Sequence, residues 1–309
     1  MRRQWKLRPA EATREWRVGA VRIKKVSECV LESALDEPSI EDGFLSQATR
    51  KSLLDIGWLR PDFISAEGGV LLAFHALVIE VAGRTIVVDT CVGNAKQRPL
   101  QPFWHEMTGT FLEHLMAAGI APEKVDTVVC THLHVDHVGW NTRKVDGRWI
   151  PTFPNARYLF GRLEYEACSR EAGVATDASH GPHSAPFMAD SVQPIFDAGL
   201  AQLVEADHRI CDEVHLFPTH GHTPGHVSVM VESAGERAII TGDSIHHPCQ
   251  LRHPDWSVSA DADRAAAVAT RRALLEAHAD KPTLFIGTHW AGRSCGYIER
   301  DGGSYRLRC

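Results

Sequence analysis

The segment with the most chemical content is residues 131–137, THLHVDH, which follows a short apolar run. On an extended chain His132 and His134 point to the same side, and a turn can bring Asp136 and His137 round to them. Four side chains of ligand type then meet within six residues, which chance explains poorly given this composition. The segment therefore predicts a metal site.

A catalytic zinc ion takes about four ligands and keeps one position open, so this segment cannot satisfy two ions alone. Three later residues fit as further ligands: His222 within GHTPGH, Asp243 at the end of AIITGD, and His289 at the end of TLFIGTH. Each follows or ends a predicted strand, so all of them can lie along one edge of the sheets. His220 competes with His222, and the GHTPGH context favours His222.

These motifs, in this order, resemble the metallo-β-lactamase superfamily over roughly residues 69–290. The resemblance implies an α/β fold, a four-layer αββα sandwich. It also implies a structural role for Asp89, which would orient a ligand histidine. By the same resemblance His132, His134 and His222 would hold one metal, Asp136, His137 and His289 the other, and Asp243 would bridge them.

The residues at particular positions narrow the subgroup. Asp243 stands where the commonest zinc β-lactamases carry Cys, and His134 stands where flavodiiron proteins carry Glu. Within the superfamily the chain resembles the N-acyl-homoserine lactonases and the methyl-parathion-hydrolase-like enzymes. A Tyr shortly after the bridging Asp binds substrate in those lactonases. Here His246 occupies that region, and we predict that it donates a hydrogen bond to the substrate oxygen.

The resemblance implies a dinuclear hydrolase in which a bridging hydroxide opens a lactone or cleaves a small ester. Asp136 would also orient the nucleophile or carry a proton to the leaving group. Two Zn²⁺ per chain are expected, although the same ligands accept Mn, Fe or Co. The alternatives are phosphotriester hydrolysis, thioester hydrolysis of the glyoxalase-II type, diiron electron transfer, and metals that serve folding only.

The composition limits the partners. The net charge of −6 disfavours nucleic acid, and no apolar run of 18 residues predicts a membrane span. The basic N-terminus lacks an apolar stretch after it, and the eight cysteines form no CxxC pair, so we expect a cytoplasmic protein with reduced thiols. A small-molecule substrate is the expected partner, and the family resemblance allows a homodimer.

The elements that must position these residues follow from the apolar patterning. Residues 1–60 are predicted to be an irregular extension, packed on the core or on a dimer partner, and residues 61–309 the catalytic domain. Two similar hairpins, 80–90 and 232–243, each end in a carboxylate, and residues 175–192 are predicted to be a loop and a candidate lid. Helices are predicted at 111–118, 161–173 and 263–280, the last with Arg271 and Arg272 on a solvated face.

Several other residues have a structural and a functional interpretation. Cys91 and Cys130 are predicted to be buried thiols rather than ligands, and His226 a structural histidine. The aromatic residues are either walls of a substrate pocket or ordinary core. They are Trp140, Phe103, Trp104, Phe187 and Trp256, with Met188 beside them.

Overall fold

The computed structural model describes residues 5–33, 44–99, 101–174 and 187–309. The chain forms two compact units. The C-terminal unit comprises Met1–Glu11, Cys29–Ala73 and Asp207–Cys309, and the motif unit comprises Ala12–Glu28 and Phe74–Ala206. No helix in the described ranges is long and apolar enough to cross a membrane.

Sixteen strands are present in the described part of the chain. Their bounds are β1 Trp5–Arg8, β2 Arg14–Val18, β3 Val21–Ser33, β4 Val70–Val81, β5 Arg84–Val88, β6 Thr127–Cys130, β7 Thr142–Val145, β8 Arg148–Pro151, β9 Arg157–Gly161, β10 Ala201–Val204, β11 Val214–Pro218, β12 Val227–Ser233, β13 Glu236–Ile240, β14 Thr283–Ile286, β15 Cys295–Asp301 and β16 Ser304–Arg308.

The helices are mostly short. Their bounds are α1 Arg50–Leu54, α2 Phe111–Ala117, α3 Arg162–Val174, α4 Gln193–Asp197, α5 Cys249–Arg252 and α6 Arg264–His278. A π-helical turn, Met188–Val192, precedes α4 directly. The predicted helices at 111–118, 161–173 and 263–280 are therefore confirmed.

The strands form two mixed sheets and a separate hairpin. The first sheet has eight strands in the order β1-β3-β4-β5-β6-β9-β10, with β2 paired to β3. The second has six strands in chain order from β11 to β16, and β7 pairs with β8. Both sheets combine antiparallel hairpins with parallel neighbours.

The candidate ligands and their supporting carboxylates follow strands that are paired in parallel. In the motif unit β5 and β6 are parallel, with Val88 opposite Val129. In the C-terminal unit β13 and β14 are parallel, with Ile240 opposite Ile286. Because the carboxyl ends of parallel strands lie at one edge of a sheet, the residues that follow each pair are neighbours. The prediction that the candidate ligands follow strands is confirmed.

The two similar hairpins of the sequence are present, one in each unit. The turn between β4 and β5 is Ala82-Gly83, and the turn between β12 and β13 is Ala234-Gly235; all four residues have positive φ angles. Turns with two positive φ angles match the twist of paired strands, which explains the Gly in both. The first hairpin leads to Asp89 and the second to Asp243.

The prediction that residues 1–60 are irregular is wrong for three segments of that range. Residues 5–8, 14–18 and 21–33 are strands, and β3 pairs with both β1 and β2. Charged residues in β2 and in the first half of β3 interrupt the apolar alternation that would indicate a strand. The division at residue 60, and a packing role on a dimer partner, stay predictions.

The predicted loop at 175–192 is also corrected in part. Residues 175–186 lie outside the described residues, but Phe187 and the five residues after it are helical rather than loop. Asp190 in this turn is buried and accepts two hydrogen bonds from Arg98, of 2.7 and 2.9 Å. This bidentate ion pair fixes the turn, and a local sequence pattern cannot reveal such a distant partner.

The loops that follow β5 and β6 are tied to each other in the motif unit. Thr90 N donates to His137 O, Gly139 N to Cys91 O, and Trp140 N to Thr90 O, at 2.7 to 2.8 Å. The approach is so close that a Cβ on Gly139 would lie 1.8 Å from the Val92 oxygen. Only glycine fits there, because the obstacle is backbone rather than a flexible side chain.

We predict that Gly139→Ala lowers the free energy of unfolding by about 1–3 kcal/mol or more, because the loops must separate to admit the methyl group. Gly57→Ala is the matched control, since its Cβ would meet nothing within 4 Å. The control is expected to change the free energy by no more than about 1 kcal/mol. Urea unfolding of both variants checks this, and equal values for the two variants would contradict the close approach.

Candidate metal centre

Four candidate ligands of the motif unit lie in the turn that follows β6. His132, His134 and His137 are buried, and Asp136 is half-buried. The rings of His132 and His134 are 4.5 Å apart, and those of His132 and His137 are 4.1 Å apart, between centroids. His137 N donates to His134 O at 3.0 Å, which closes the turn and gathers the four side chains.

Asp89 holds this turn from the end of β5. Its carboxylate accepts hydrogen bonds from Thr131 N at 2.8 Å and Thr131 Oγ1 at 2.9 Å. It also accepts from His137 Nδ1, 2.9 Å away. Asp89 has a φ angle of 57°, which few residues other than glycine adopt, so its backbone is held in an uncommon conformation. The position predicted for Asp89 beside a ligand-type histidine is present.

A second buried carboxylate, Glu28 of β3, supports the same loops. It accepts hydrogen bonds from Val92 N at 2.9 Å, Gly93 N at 3.1 Å and the Trp140 indole at 2.6 Å. Burial raises the pKa of Glu28 to about 7, and these three donors oppose the rise. Glu28 was not identified from the sequence, although a charged residue between apolar positions of a strand is a usable signal.

The C-terminal unit contributes three candidate ligands around one carboxylate. Asp243, just after β13, has its Oδ2 atom 3.3 Å from His222 Nε2 and its Oδ1 atom 3.2 Å from His289 Nε2. All three side chains are buried. Thr288 Oγ1 also donates to Asp243 Oδ1 at 3.2 Å, so the orientation of the carboxylate is fixed.

The Nδ1 atoms of both histidines already have acceptors. His222 Nδ1 donates to Asp261 Oδ1 at 2.9 Å, and His289 Nδ1 donates to the Ala73 carbonyl at 3.2 Å. A neutral imidazole with its hydrogen on Nδ1 has a lone pair on Nε2. The Nε2 lone pairs of His222 and His289 therefore face carboxylate oxygens, an arrangement that a bound cation would stabilise. These are His/Asp clusters of the kind that hold metal ions.

Asp261 was not predicted from the sequence as a partner of His222. Burial raises the pKa of Asp261, and the electrostatic influence of His246 and Arg271 opposes the rise. Asp261 Oδ2 accepts from Val258 N at 3.0 Å while Oδ1 accepts from His222. It lies shortly before α6 in a stretch with three acidic residues, where the sequence alone does not distinguish a partner of His222 from a helix cap.

His246 and His226 contact Asp243 in different ways. His246 Nε2 lies 3.0 Å from Asp243 Oδ2, so the predicted catalytic histidine is beside the predicted bridging residue. His226 Nε2 accepts from Asp243 N at 2.8 Å, and its Nδ1 lies 3.0 Å from the Thr219 carbonyl. Both nitrogens of His226 thus bond to backbone, as expected for a structural histidine.

Other candidates have structural surroundings. His247 is buried, with Nε2 2.8 Å from the Phe63 carbonyl, and burial lowers its pKa to about 4. Cys91 and Cys130 are buried, and burial raises the pKa of the Cys130 thiol strongly, so it stays protonated. Trp140 is core rather than pocket wall, because its ring stacks on Phe111 with centroids 5.6 Å apart.

The prediction that Arg271 lies on a solvated face is wrong. Its side chain is completely buried, whereas Arg272 is exposed and forms a bidentate pair with Asp255. Arg271 recurs at helical spacing with Ala267, Leu274 and Leu275, the buried residues of α6. The helical spacing of these apolar residues indicates that position 271 is buried, but a charged residue there favoured the exposed interpretation.

The chain matches a known family profile and, over part of its length, known proteins. The profile described as "Metallo-beta-lactamase superfamily" matches residues 74–289. An N-acyl homoserine lactonase from Bacillus sp. is 29% identical over 119 residues, which are 38% of this chain and 38% of the relative. An N-acyl homoserine lactonase from Bacillus thuringiensis is 25% identical over 175 residues, 56% and 59% of the two chains. The matched stretches thus span less than two thirds of these relatives.

Solved structures are similar along almost the whole chain. AidC, a dizinc quorum-quenching lactonase in complex with a product, has a TM-score of 0.73 at 20% identity and covers 96% of this chain and 97% of its own. The hydrolase AbOPH has a TM-score of 0.76 at 23% identity and covers 97% and 98%. At these identities the similarity establishes the fold alone.

We predict that Glu28→Gln removes a pH dependence of stability from the metal-free protein. Because the folded-state pKa of Glu28 is raised from 4.5 to about 7, its contribution to stability is fully present below pH 4.5 and is lost as the pH rises through about 7. The loss is about 3 kcal/mol on this basis. Gln does not titrate, so urea unfolding between pH 4.5 and 8 is expected to show the wild type losing about 3 kcal/mol of stability relative to Glu28→Gln as the pH rises. Parallel curves would contradict the assignment.

Proposed function

The chain belongs to the metallo-beta-lactamase superfamily, and from this premise we propose that it is a dinuclear metal-dependent hydrolase that opens a lactone or cleaves a small ester. The predicted metallo-β-lactamase fold, with two mixed sheets, is confirmed. What supports the proposal beyond the family is the chemistry of the buried histidines and carboxylates in each unit.

One observation carries the metal assignment. The carboxylate of Asp243 faces the Nε2 atoms of His222 and His289, whose Nδ1 atoms are already engaged as donors. Burying lone pairs against a carboxylate is costly unless a cation lies between them. In the motif unit His137 has the same pattern, with Nδ1 on Asp89 and Nε2 3.7 Å from Asp136 Oδ2. A donor set of imidazole and carboxylate suits zinc and also Mn, Fe or Co.

The division of the ligands between the two ions follows the family resemblance. We assign His132, His134 and His222 to one ion, Asp136, His137 and His289 to the other, and Asp243 to both. Bound ions would supply Lewis acidity that lowers the pKa of a water molecule from 15.7 towards ~7 and polarises a substrate carbonyl.

The chain's own residues have the remaining tasks. Asp136 is more exposed than the three histidines of its turn, with 13% of its side chain accessible to solvent. We therefore assign it to orient the nucleophile and to carry a proton to the leaving group. His246 is assigned to donate a hydrogen bond to the substrate oxygen, because it lies within 3.0 Å of Asp243. Asp89 and Asp261 keep the ligand histidines in the tautomer with a hydrogen on Nδ1.

Two curated relatives support a lactone or ester as the substrate. Both are N-acyl homoserine lactonases, at 29% and 25% identity over part of the chain. A small-molecule substrate also agrees with the acidic net charge of −6, which disfavours a polyanionic partner. A cytoplasmic location and a homodimer stay predictions.

We predict two metal ions per chain in protein purified without chelator, and loss of metal and hydrolysis together in Asp243→Ala. The reason is that Asp243 is assigned to both ions. Metal analysis by mass spectrometry and a screen of lactones, aryl esters and phosphotriesters check this. Asp207→Ala, at an exposed position, is the control and is expected to behave as wild type.

The screen also separates the candidate substrates. Turnover of lactones or aryl esters that stops on chelation is the expected result. Turnover of phosphotriesters alone would change the proposed substrate from a lactone or ester to a phosphotriester and would leave the proposed metal site unchanged. An active, metal-free Asp243→Ala protein would overturn the metal assignment, and iron with redox activity but no hydrolysis would overturn the hydrolase.

His246→Gln is predicted to keep two ions per chain and to lower kcat by about 10²–10³, the typical effect of removing one donor to a developing oxyanion. His253→Gln is the control, since His253 stacks on Trp256 with ring centroids 4.0 Å apart rather than lying beside Asp243. Metal content and kcat of both variants decide the outcome. Loss of an ion in His246→Gln would instead make His246 a ligand.

A further inference from the structure

Helix α6 contacts the turn that carries His222. Its N-cap region is tied to this turn by hydrogen bonds from Ala262 N to His222 O at 2.9 Å and from Asp263 N to Gly221 O at 3.0 Å. Thr270 Oγ1 donates to His220 O at 2.7 Å, about two turns further along the helix. The first two turns of α6 therefore hold the backbone of residues 220–222 at three points.

Gly221 shows how close this contact is. A Cβ at residue 221 would lie 2.2 Å from Ala267 N, and Gly221 has a φ angle of 129°. The turn before His222 thus rests directly on the helix backbone, and only glycine allows both the conformation and the approach. Any movement of α6 would be transmitted to His222.

The same helix holds the segment that follows Asp243 through Arg271. Arg271 Nε donates to Ser244 O at 2.9 Å, and Nη1 donates to Pro254 O at 2.7 Å and to Trp256 O at 2.8 Å. The side chain is completely buried. A buried guanidinium is costly unless its donors find acceptors; here Nε and Nη1 bind three carbonyls, while Nη2 is buried without a hydrogen-bond partner in the described structure. The three bonds hold the segment 244–256 against the helix.

Gln250 extends these contacts to His246. Its Nε2 donates to Trp256 O at 2.8 Å, and its Oε1 accepts from His246 N at 2.8 Å and from His247 N at 3.2 Å. Gln250 is completely buried. The Trp256 carbonyl is therefore shared by Arg271 and Gln250, and the backbone of His246 is fixed through it.

We propose that Arg271 is a positioning residue for the metal centre: its guanidinium holds residues 244–256 on α6, and this sets Asp243 and His246 relative to His222. The inference rests on the proposed metal-binding function and adds a residue that contacts no ligand atom itself. It acts through Ser244, which adjoins Asp243, and through Gln250.

The geometry of the contacts requires arginine rather than any cation. A guanidinium is a planar fork with five N–H donors, whereas the lysine ammonium is a compact point charge on a flexible stem. Lysine at this position would keep the charge and most of the volume but could not reach Ser244 and Pro254 together in the same arrangement. Arg271→Lys therefore tests geometry with the charge held constant.

The experiment compares Arg271→Lys with Arg264→Lys, at an exposed position of the same helix. Zinc affinity is measured by competition with a chromophoric chelator, and the melting temperature of each metal-free protein is measured in parallel. We expect Arg271→Lys to weaken binding of at least one ion by about 10–100-fold, the usual effect of disturbing a residue that supports a metal ligand. Arg264→Lys is expected to bind zinc as the wild type does.

Rescue by metal separates positioning from general stability. If Arg271 positions the centre, Arg271→Lys regains kcat at high zinc concentration, because the site is weakened rather than lost. Wild-type zinc affinity in Arg271→Lys at a temperature well below its melting point would overturn the inference, even if the variant melts earlier. Failure of the wild type itself to bind zinc would instead overturn the proposed function.

A second variant keeps the inference testable if Arg271→Lys does not fold. Gln250→Met removes the link from Trp256 to His246 and preserves volume in the buried site. It is expected to weaken zinc binding in the same direction as Arg271→Lys. Unchanged zinc affinity in a folded Gln250→Met protein would contradict the role of the 244–256 segment.

Discussion

The hydrogen bond that engages the Nδ1 atom of a buried histidine is the interaction on which the rest of the site depends. Asp89 provides it for His137, Asp261 for His222, and the Ala73 carbonyl for His289. Each bond fixes a ring plane and a tautomer together, so that Nε2 becomes the candidate ligand atom. Without these acceptors the same histidines could rotate or protonate, and the donor set would lose its shape.

Both units contain the same local architecture near these histidines. A hairpin with an Ala-Gly turn leads to a carboxylate, and the next strand of the parallel pair leads to a histidine-bearing loop. In the motif unit the carboxylate is Asp89, which supports a ligand; in the C-terminal unit it is Asp243, which is itself a candidate ligand. Further buried groups, Glu28 and Arg271, secure the loops that these strands release.

Much of this could be predicted from the sequence, because ligand chemistry and apolar periodicity are local. The segment 131–137, the strand ends that carry Asp243 and His289, and helix α6 are all expressed in short patterns. The supporting residues were not predictable in the same way. Asp261 is 39 residues from His222, and Glu28 is 112 residues from Trp140, so nothing in either neighbourhood reveals its partner. Strands β2 and β3 were missed because their alternation is interrupted by charges that are exposed or paired.

The central claim is that histidines held through Nδ1 present Nε2 to metal ions. The most direct test is anomalous diffraction at the zinc edge from crystals of the zinc-loaded protein. The account predicts two peaks, with the Nε2 atoms of His137, His222 and His289 each about 2.0–2.1 Å from an ion and an oxygen of Asp243 bound to both ions. Coordination through Nδ1, or a single ion away from Asp243, would contradict it.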